Sequence, residues 1–236
     1  MLYAFTMDLE HIETISEQEF IDSSVRALSE RIHQNIDEYG RAIVGLSGGS
    51  TPRPIYSALG KCAIPWDKVS VFLVDERYVG ADDTDSNQKL VRDTLLSSAP
   101  IPEENFLFPD TSLPLAECIH HYELKLAGML SAGIPHIVTL GMGDDGHIAS
   151  LFPPVSDSAY GDHLVLHTET DRFAVHDRIT TTMVIIGSAD RKFFFLKGDA
   201  KKQVWEEMMA DKEDLSRWPA KAVLNLGGGV LVSYWS

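Results

Sequence analysis

The 236-residue sequence predicts a single α/β domain spanning residues 1–236. Its core is a mostly parallel open sheet flanked by helices, with some antiparallel strands in the C-terminal third. Three observations carry this prediction. Strand-length apolar runs at residues 42–46, 69–74 and 137–140 are separated by stretches of helical spacing, the alternation that builds a parallel sheet. Each run ends on small or charged residues, the kind an open α/β sheet places at the carboxyl ends of its strands. No repeat, low-complexity tract or Gly/Ser linker divides the chain.

The elements follow in order. Ser16-Glu17-Gln18-Glu19 is a capping box, and Phe20, Ile21, Val25, Leu28, Ile32 and Ile36 follow on one helical face until Gly40 stops the helix. Residues 42–46 read as a buried strand running into Ser47-Gly48-Gly49-Ser50-Thr51-Pro52. Ile55, Tyr56 and Leu59 mark the short helix beyond, with Pro52 in its first turn. The second strand, 69–74, runs into Asp75-Glu76-Arg77-Tyr78-Val79. Asp85-Ser86-Asn87 caps a helix carrying Leu90, Val91, Leu95 and Leu96. A short strand at 106–108 and a long helix at 113–130 lead to the strand at 137–140. That strand opens into Gly141-Met142-Gly143-Asp144-Asp145-Gly146-His147, and any helix there must end by Pro153. Residues 164–166, 181–186, 193–196 and 230–235 read as strands, some antiparallel. Residues 199–210 form a helix with Val204, Trp205, Met208 and Met209 on one side. The expected architecture is a Rossmann-like open sheet.

The balance of 20 Lys and Arg against 35 Asp and Glu gives a formal charge of −15, which disfavours nucleic acid and anionic membrane as partners. An anionic ligand therefore needs positive charge gathered locally. The two cysteines, Cys62 and Cys118, have no paired spacing; free thiols in a reducing cytoplasm are expected, with a single disulfide as the alternative. The N-terminus has neither a basic n-region nor a sustained apolar segment, and no run of eighteen apolar residues occurs. A soluble cytoplasmic protein is expected.

Three motif matches are separated by spacing. Gly45-Leu46-Ser47-Gly48-Gly49 fits the nucleophile elbow G-x-S-x-G, but there the helix begins directly after the serine, whereas Pro52 delays it here. The loop either simply turns or cradles a phosphate, and strand, small-residue loop and helix start favour the cradle. No lysine follows the last glycine, so it is not a Walker A loop. The G-x-G-x-x-G of residues 141–146 does follow a strand, yet its two aspartates would repel a pyrophosphate and Pro153 permits less than about two helical turns. Metal binding fails on spacing: His163 and His167 on one strand lie about 13 Å apart, and His120 and His121 point in different directions on a helix. No metal or other cofactor is expected. His147, set among glycines beside a carboxylate, stands out as a candidate acid or base.

Four stretches in this order resemble the 6-phosphogluconolactonases of the glucosamine-6-phosphate deaminase/isomerase superfamily: residues 46–52, 75–79, 86–87 and 141–153. Weaker matches are Arg178-Ile179-Thr180, and Gly198 with Lys201. The deaminase branch continues Asp-Gly-His-Ile-Ala into Phe-Asn-Glu-Pro, supplying a catalytic glutamate. Here Ser150-Leu151-Phe152-Pro153 stands there without a carboxylate, and Arg77 is absent from the deaminase motif; both differences favour the lactonase. Asp144 departs from the pattern, where an acidic residue is unusual, as does the tail Leu224-Asn225-Leu226-Gly227-Gly228-Gly229, which lacks an acidic ending.

The resemblance implies hydrolysis of 6-phospho-D-glucono-1,5-lactone to 6-phosphogluconate in the pentose phosphate pathway. His147 is the implied general base and Asp145 the group orienting the ring or the loop. The phosphate is expected on Ser47, Gly48, Gly49, Ser50 and Thr51, with Arg77, Arg178 and Lys201 as cations and Asn87 nearby. Asp75 and Glu76 either hold Arg77 or bind sugar hydroxyls, and Arg53 is as readily a solvated helix residue. The rivals are a sugar-phosphate deaminase or isomerase on the same fold, and a catalytically idle sugar-phosphate-binding regulator.

Overall fold

The computed structural model describes residues 8–131, 133–211 and 215–235. It opens with β1 (Leu9–Thr14), which the sequence pattern did not reveal, and then α1 (Glu17–Tyr39). Ser16 Oγ accepts the Glu19 amide at 3.2 Å, and the Glu19 carboxylate accepts the Ile15 amide at 3.0 Å, one residue earlier than a capping box requires. Gly40, at φ 75°, ends the helix by donating its amide to the Ile36 carbonyl at 2.9 Å.

The chain continues through β2 (Ala42–Leu46), α2 (Pro52–Leu59), β3 (Val69–Leu73), β4 (Asp75–Arg77), α3 (Asn87–Asp93), β5 (Phe106–Leu107), α4 (Leu115–Leu130) and β6 (Ile137–Leu140). It ends with β7 (Val165–Glu169), β8 (Asp177–Thr181), α5 (Met183–Ser188), β9 (Arg191–Lys197), α6 (Asp199–Ala210), α7 (Pro219–Leu224) and β10 (Gly229–Trp235). Seven strands form a parallel sheet in the order β1-β10-β9-β6-β2-β3-β5, and β4-β8-β7 form a small antiparallel sheet.

Residues of the parallel strands alternate between two apolar layers, as the period of two requires. Val44, Val71, Leu73, Phe193 and Phe195 pack with α1, α2 and α3, through Phe20, Leu28, Ile32, Ile55, Tyr56 and Leu90. Ile43, Phe72, Val138, Leu140 and Phe194 pack on the other face with α4 to α7, through Tyr122, Leu126, Met183, Trp205 and Val223. Both faces are covered, so the inner strands read as unbroken apolar runs and were visible in the sequence, whereas the edge strand β1, half exposed, was not. Both cysteines are free thiols.

The structure corrects several boundaries and two element types. Residues 181–186 do not continue as a strand: β8 ends at Thr181 and α5 begins at Met183, with the Ile186 amide on the Thr182 carbonyl at 3.1 Å. The run is apolar enough to be buried in either form, and packing of Met183, Ile185 and Ile186 against α7 selects the helix. No helix forms before Pro153. Ala149 takes φ 48°, Ile148 and Leu151 form an isolated bridge, and the Gly143 amide donates to the His147 carbonyl at 2.8 Å, so the loop folds onto itself. The antiparallel strands are β7 and β8, whereas β9 and β10 join the parallel sheet. The apolar run at 69–74 also changes sheets. Val74 bridges the two, its amide on Leu46 and its carbonyl accepting from Thr181, and Asp75 then pairs with β8. Among the described residues, no helix is long and apolar enough to cross a membrane.

Candidate active site

In the parallel sheet β2 lies between β3 and β6, so the chain leaves it in opposite directions for its two neighbours. At such a reversal the loops beyond the carboxyl ends splay apart and leave a crevice. Here the crevice is a cavity of about 390 Å³. Its walls are the loop at 47–52, Asp75, Arg77 and Asn87, residues 141–144, His147, and Arg178 and Lys201. Of the sequence-predicted site residues, Asp145 and Glu76 do not line it. Asp145 sits directly behind His147.

The loop after β2 is pinned by buried hydroxyls. The Ser47 amide donates to Thr139 Oγ1 at 2.9 Å, and Tyr56 Oη donates to the Ser47 carbonyl at 3.0 Å. Among the described residues, Ser47 Oγ has only the Tyr56 and Thr139 hydroxyls as hydrogen-bond partners, at 3.5 and 3.4 Å, and no imidazole to activate it as a nucleophile. The amides of Gly48, Gly49, Ser50 and Thr51 are left without a protein acceptor among the described residues, at the start of α2. Gly48 is required by packing, because a Cβ there would overlap the Asn87 carboxamide.

Asn87 Nδ2 donates to the Asp75 carbonyl at 2.9 Å and to Asp75 Oδ1 at 3.3 Å, and Ser150 Oγ donates to Asp75 Oδ2 at 2.7 Å. Among the described residues, Asn87 Oδ1 and Arg77 Nε are buried without partners. Arg77 Nη1 donates to the Asp85 carbonyl at 2.6 Å. Glu76 does not line the cavity, and it holds Arg77 through the backbone amide rather than the guanidinium. Fully buried, it accepts the amides of Arg77, Asn87 and Gln88, each at 2.7 Å, and Ser86 Oγ at 3.2 Å, which anchors the start of α3. Burial pushes its carboxyl up to about 7 while those amides pull it back.

His147 is delivered by the loop after β6. Asp145 Oδ1 lies 2.5 Å from His147 Nδ1 and also accepts the His147 amide at 3.1 Å, while Asp145 Oδ2 accepts Arg172 Nη1 at 2.6 Å. An ionised carboxylate only accepts, so the neutral ring carries its proton on Nδ1 and has its lone pair on Nε2. Burial raises the Asp145 carboxyl, but hydrogen bonds and charge from His147, with Arg172, outweigh it and hold it below the usual carboxylate range. The imidazole packs against Phe152 at 4.8 Å and Phe173 at 5.5 Å. Gly143 passes so close to the ring that a Cβ there would overlap His147 Nδ1 and Cε1. Gly143→Ala is therefore expected to displace the imidazole and lower kcat about tenfold or more with little change in KM. Steady-state kinetics alongside a thermal melt separates this from unfolding.

The cations gather as the sequence charge requires. Arg77, Arg178, Lys197 and Lys201 face the cavity against the carboxylates of Asp75 and Asp144. Lys201 Nζ pairs with Asp144 Oδ1 at 2.5 Å. Arg178 is buried, donates Nε to the Val175 carbonyl at 2.9 Å and lies 5.7 Å from the Phe173 ring; burial and then Arg77 lower its pKa from the ordinary arginine value. Arg53 is exposed and lies outside the cavity.

Sequence reasoning missed Lys197, Phe173 and Arg172. Lys197 was within reach of the strand-end rule, since it closes β9 at the same rim. Phe173 had a weaker signal, a lone aromatic in a polar hairpin tip. His167 was set aside as a metal ligand because it lacked a nearby partner on its own strand. In the structure its ring, Glu169 and Asp177 bring ligand atoms within 4.8 Å of one another on the outer face of β7 and β8, with no ion present. The third member comes from the neighbouring strand.

A family model described as glucosamine-6-phosphate isomerases/6-phosphogluconolactonase matches residues 15–232. A Dictyostelium discoideum protein named probable 6-phosphogluconolactonase is 42% identical over 227 residues, covering 94% of this chain and 96% of its own. A Synechocystis 6-phosphogluconolactonase is 35% identical over 215 residues, covering 89% and 88%. The solved structure of 6-phosphogluconolactonase from Thermotoga maritima superposes with a TM-score of 0.84 at 28% identity, over 96% of this chain and 99% of that one. The enzyme from Plasmodium vivax gives 0.87 at 26% identity, over 98% and 91%. With its cavity at the β2/β6 reversal and with these matches running nearly end to end, the chain belongs to the glucosamine-6-phosphate isomerase/6-phosphogluconolactonase family.

Proposed function

We propose that residues 1–236 form one domain that acts in the cytoplasm as a 6-phosphogluconolactonase, hydrolysing 6-phospho-D-glucono-1,5-lactone to 6-phosphogluconate in the pentose phosphate pathway. The observation that carries the mechanism is the Asp145–His147 pair, which presents a lone pair on Nε2 beside a cavity rich in cations. A lactone is already reactive toward water, so one positioned base and stabilisation of the oxyanion suffice. His147 takes a proton from water as the oxygen adds to C1. The charge that develops on the carbonyl oxygen meets the cations lining the cavity. As the tetrahedral intermediate collapses, the C1–ring oxygen bond breaks and the imidazolium returns its proton to the departing oxygen. Asp145 stabilises the transient imidazolium.

The substrate phosphate lies on the free amides of Gly48 to Thr51, where the start of α2 adds its dipole. Lys201 faces it from α6. Lys201→Ala is expected to raise KM about tenfold with kcat nearly unchanged; an equal fall in kcat and kcat/KM would place Lys201 at the transition state instead. Phe152 supports hydrolysis over deamination. It stands where the deaminase glutamate would, and its ring packs on His147 at 4.8 Å without offering a carboxylate. A pH-stat assay on freshly generated lactone, corrected for spontaneous hydrolysis, tests the activity. Ammonia release from glucosamine 6-phosphate without lactone turnover would overturn it.

A further inference from the structure

The hairpin tip at residues 170–176, between β7 and β8, folds back onto the loop that carries His147. The Thr170 amide closes its base on the His176 carbonyl at 3.1 Å, and the Arg172 amide donates to Thr170 Oγ1 at 3.2 Å. Two consecutive side chains then reach the catalytic pair by different routes. Arg172 donates to Asp145 Oδ2 at 2.6 Å, from the side opposite the cavity. Phe173 meets the His147 ring nearly edge-on at 5.5 Å and lies 6.0 Å from Phe152.

This arrangement does two things to the Asp145 carboxylate, which is itself only 5% exposed. Its two oxygens have separate partners, Oδ1 the imidazole and Oδ2 the guanidinium, so the carboxylate plane is fixed at both ends. The guanidinium also offsets part of the negative charge that would otherwise favour a protonated imidazole. The other charges facing the cavity are Asp144 with Lys201, paired at 2.5 Å, then Lys197, Arg178, and Asp75 and Arg77 on β4. Among the described residues, none of these cavity charges makes an ion pair with Asp145; beside Arg172, the Arg217 guanidinium donates Nη1 to the Asp145 carbonyl.

We infer that Arg172 is a positioning residue for the hydrolysis, aiming Asp145 at His147 and weakening its hold on a protonated ring. This rests on the reading of His147 as the base. The sign follows from that role. The base must be proton-free, so kcat/KM rises with pH through the ionisation of the free enzyme. Removing the positive charge favours the imidazolium and moves that acid limb to higher pH. The guanidinium is 59% exposed, so screening limits the shift to about 0.5–1 pH unit and added salt shrinks it.

The test compares pH profiles of wild type, Arg172→Gln and Arg172→Lys, with His147→Ala as reference and the His147 ring titrated by NMR in the first three. Arg172→Gln is expected to raise the acid limb, lower kcat/KM about 3–10-fold at pH 6 and leave KM within about twofold, since Arg172 does not line the cavity. Arg172→Lys keeps the charge and is expected to restore the limb. Superimposable profiles, or an equal loss at every pH in both variants, would reduce Arg172 to a structural tether and overturn the proposal. An unshifted His147 titration in Arg172→Gln overturns it without reference to turnover. Retained activity in His147→Ala, beside a shifted titration, overturns the base assignment and with it the catalytic part of this inference.

Discussion

Replacing His147 with alanine is expected to lower kcat/KM about 100-fold or more, the scale on which a positioned general base contributes. The reaction offers no substitute nearby. Ser47 is held among hydroxyls, Asp75 is occupied by Ser150 and Asn87, and Asp145 lies behind the ring. The cation-lined cavity remains intact in the variant, so KM should change little and residual activity above the uncatalysed rate should persist. Lactone hydrolysis followed after subtraction of the spontaneous reaction measures this. Near-wild-type turnover would sink the assignment.

The second large effect is on stability. Glu76→Ala leaves three backbone amides and the Ser86 hydroxyl without their shared acceptor in a site that water does not reach. Buried donors left unsatisfied cost about 1–3 kcal/mol each, with partial relaxation on removal, so a loss of about 3–5 kcal/mol is expected. For a chain of this size that corresponds to a fall in Tm of about 6–20 °C. Asn87 is the first residue of α3, so the same change should also loosen its contact with Gly48 and raise KM. A Tm within about 2 °C of wild type would show that the start of α3 is not anchored by Glu76.

The two variants separate the local from the long-range part of the design. His147 was legible because its signal is local: glycines, a carboxylate two residues away and an apolar strand before it. The anchoring of α3 by Glu76 was not legible because the Asn87 and Gln88 amides are eleven and twelve residues further on, and a charged residue at a strand end looks the same whether it faces a ligand or a helix start. The same limit explains Arg172, which reads as a solvated residue in a polar turn and meets Asp145 only because the β7–β8 hairpin is held to β4 through β8.

By itself the sequence determined the strands of the parallel sheet other than β1, the small-residue loop at 47–52 and the histidine beside Asp145. Each is written in local periodicity or in residues that only a turn tolerates. It also determined, through a charge of −15, that an anion site must concentrate its cations. Tertiary structure alone decided which strands are neighbours, that residues 181–186 split between strand and helix, and that the loop at 141–153 forms no helix. It alone placed a hairpin tip against Asp145 and His147. Those outcomes depend on packing between segments tens of residues apart, and such contacts leave no period in the chain.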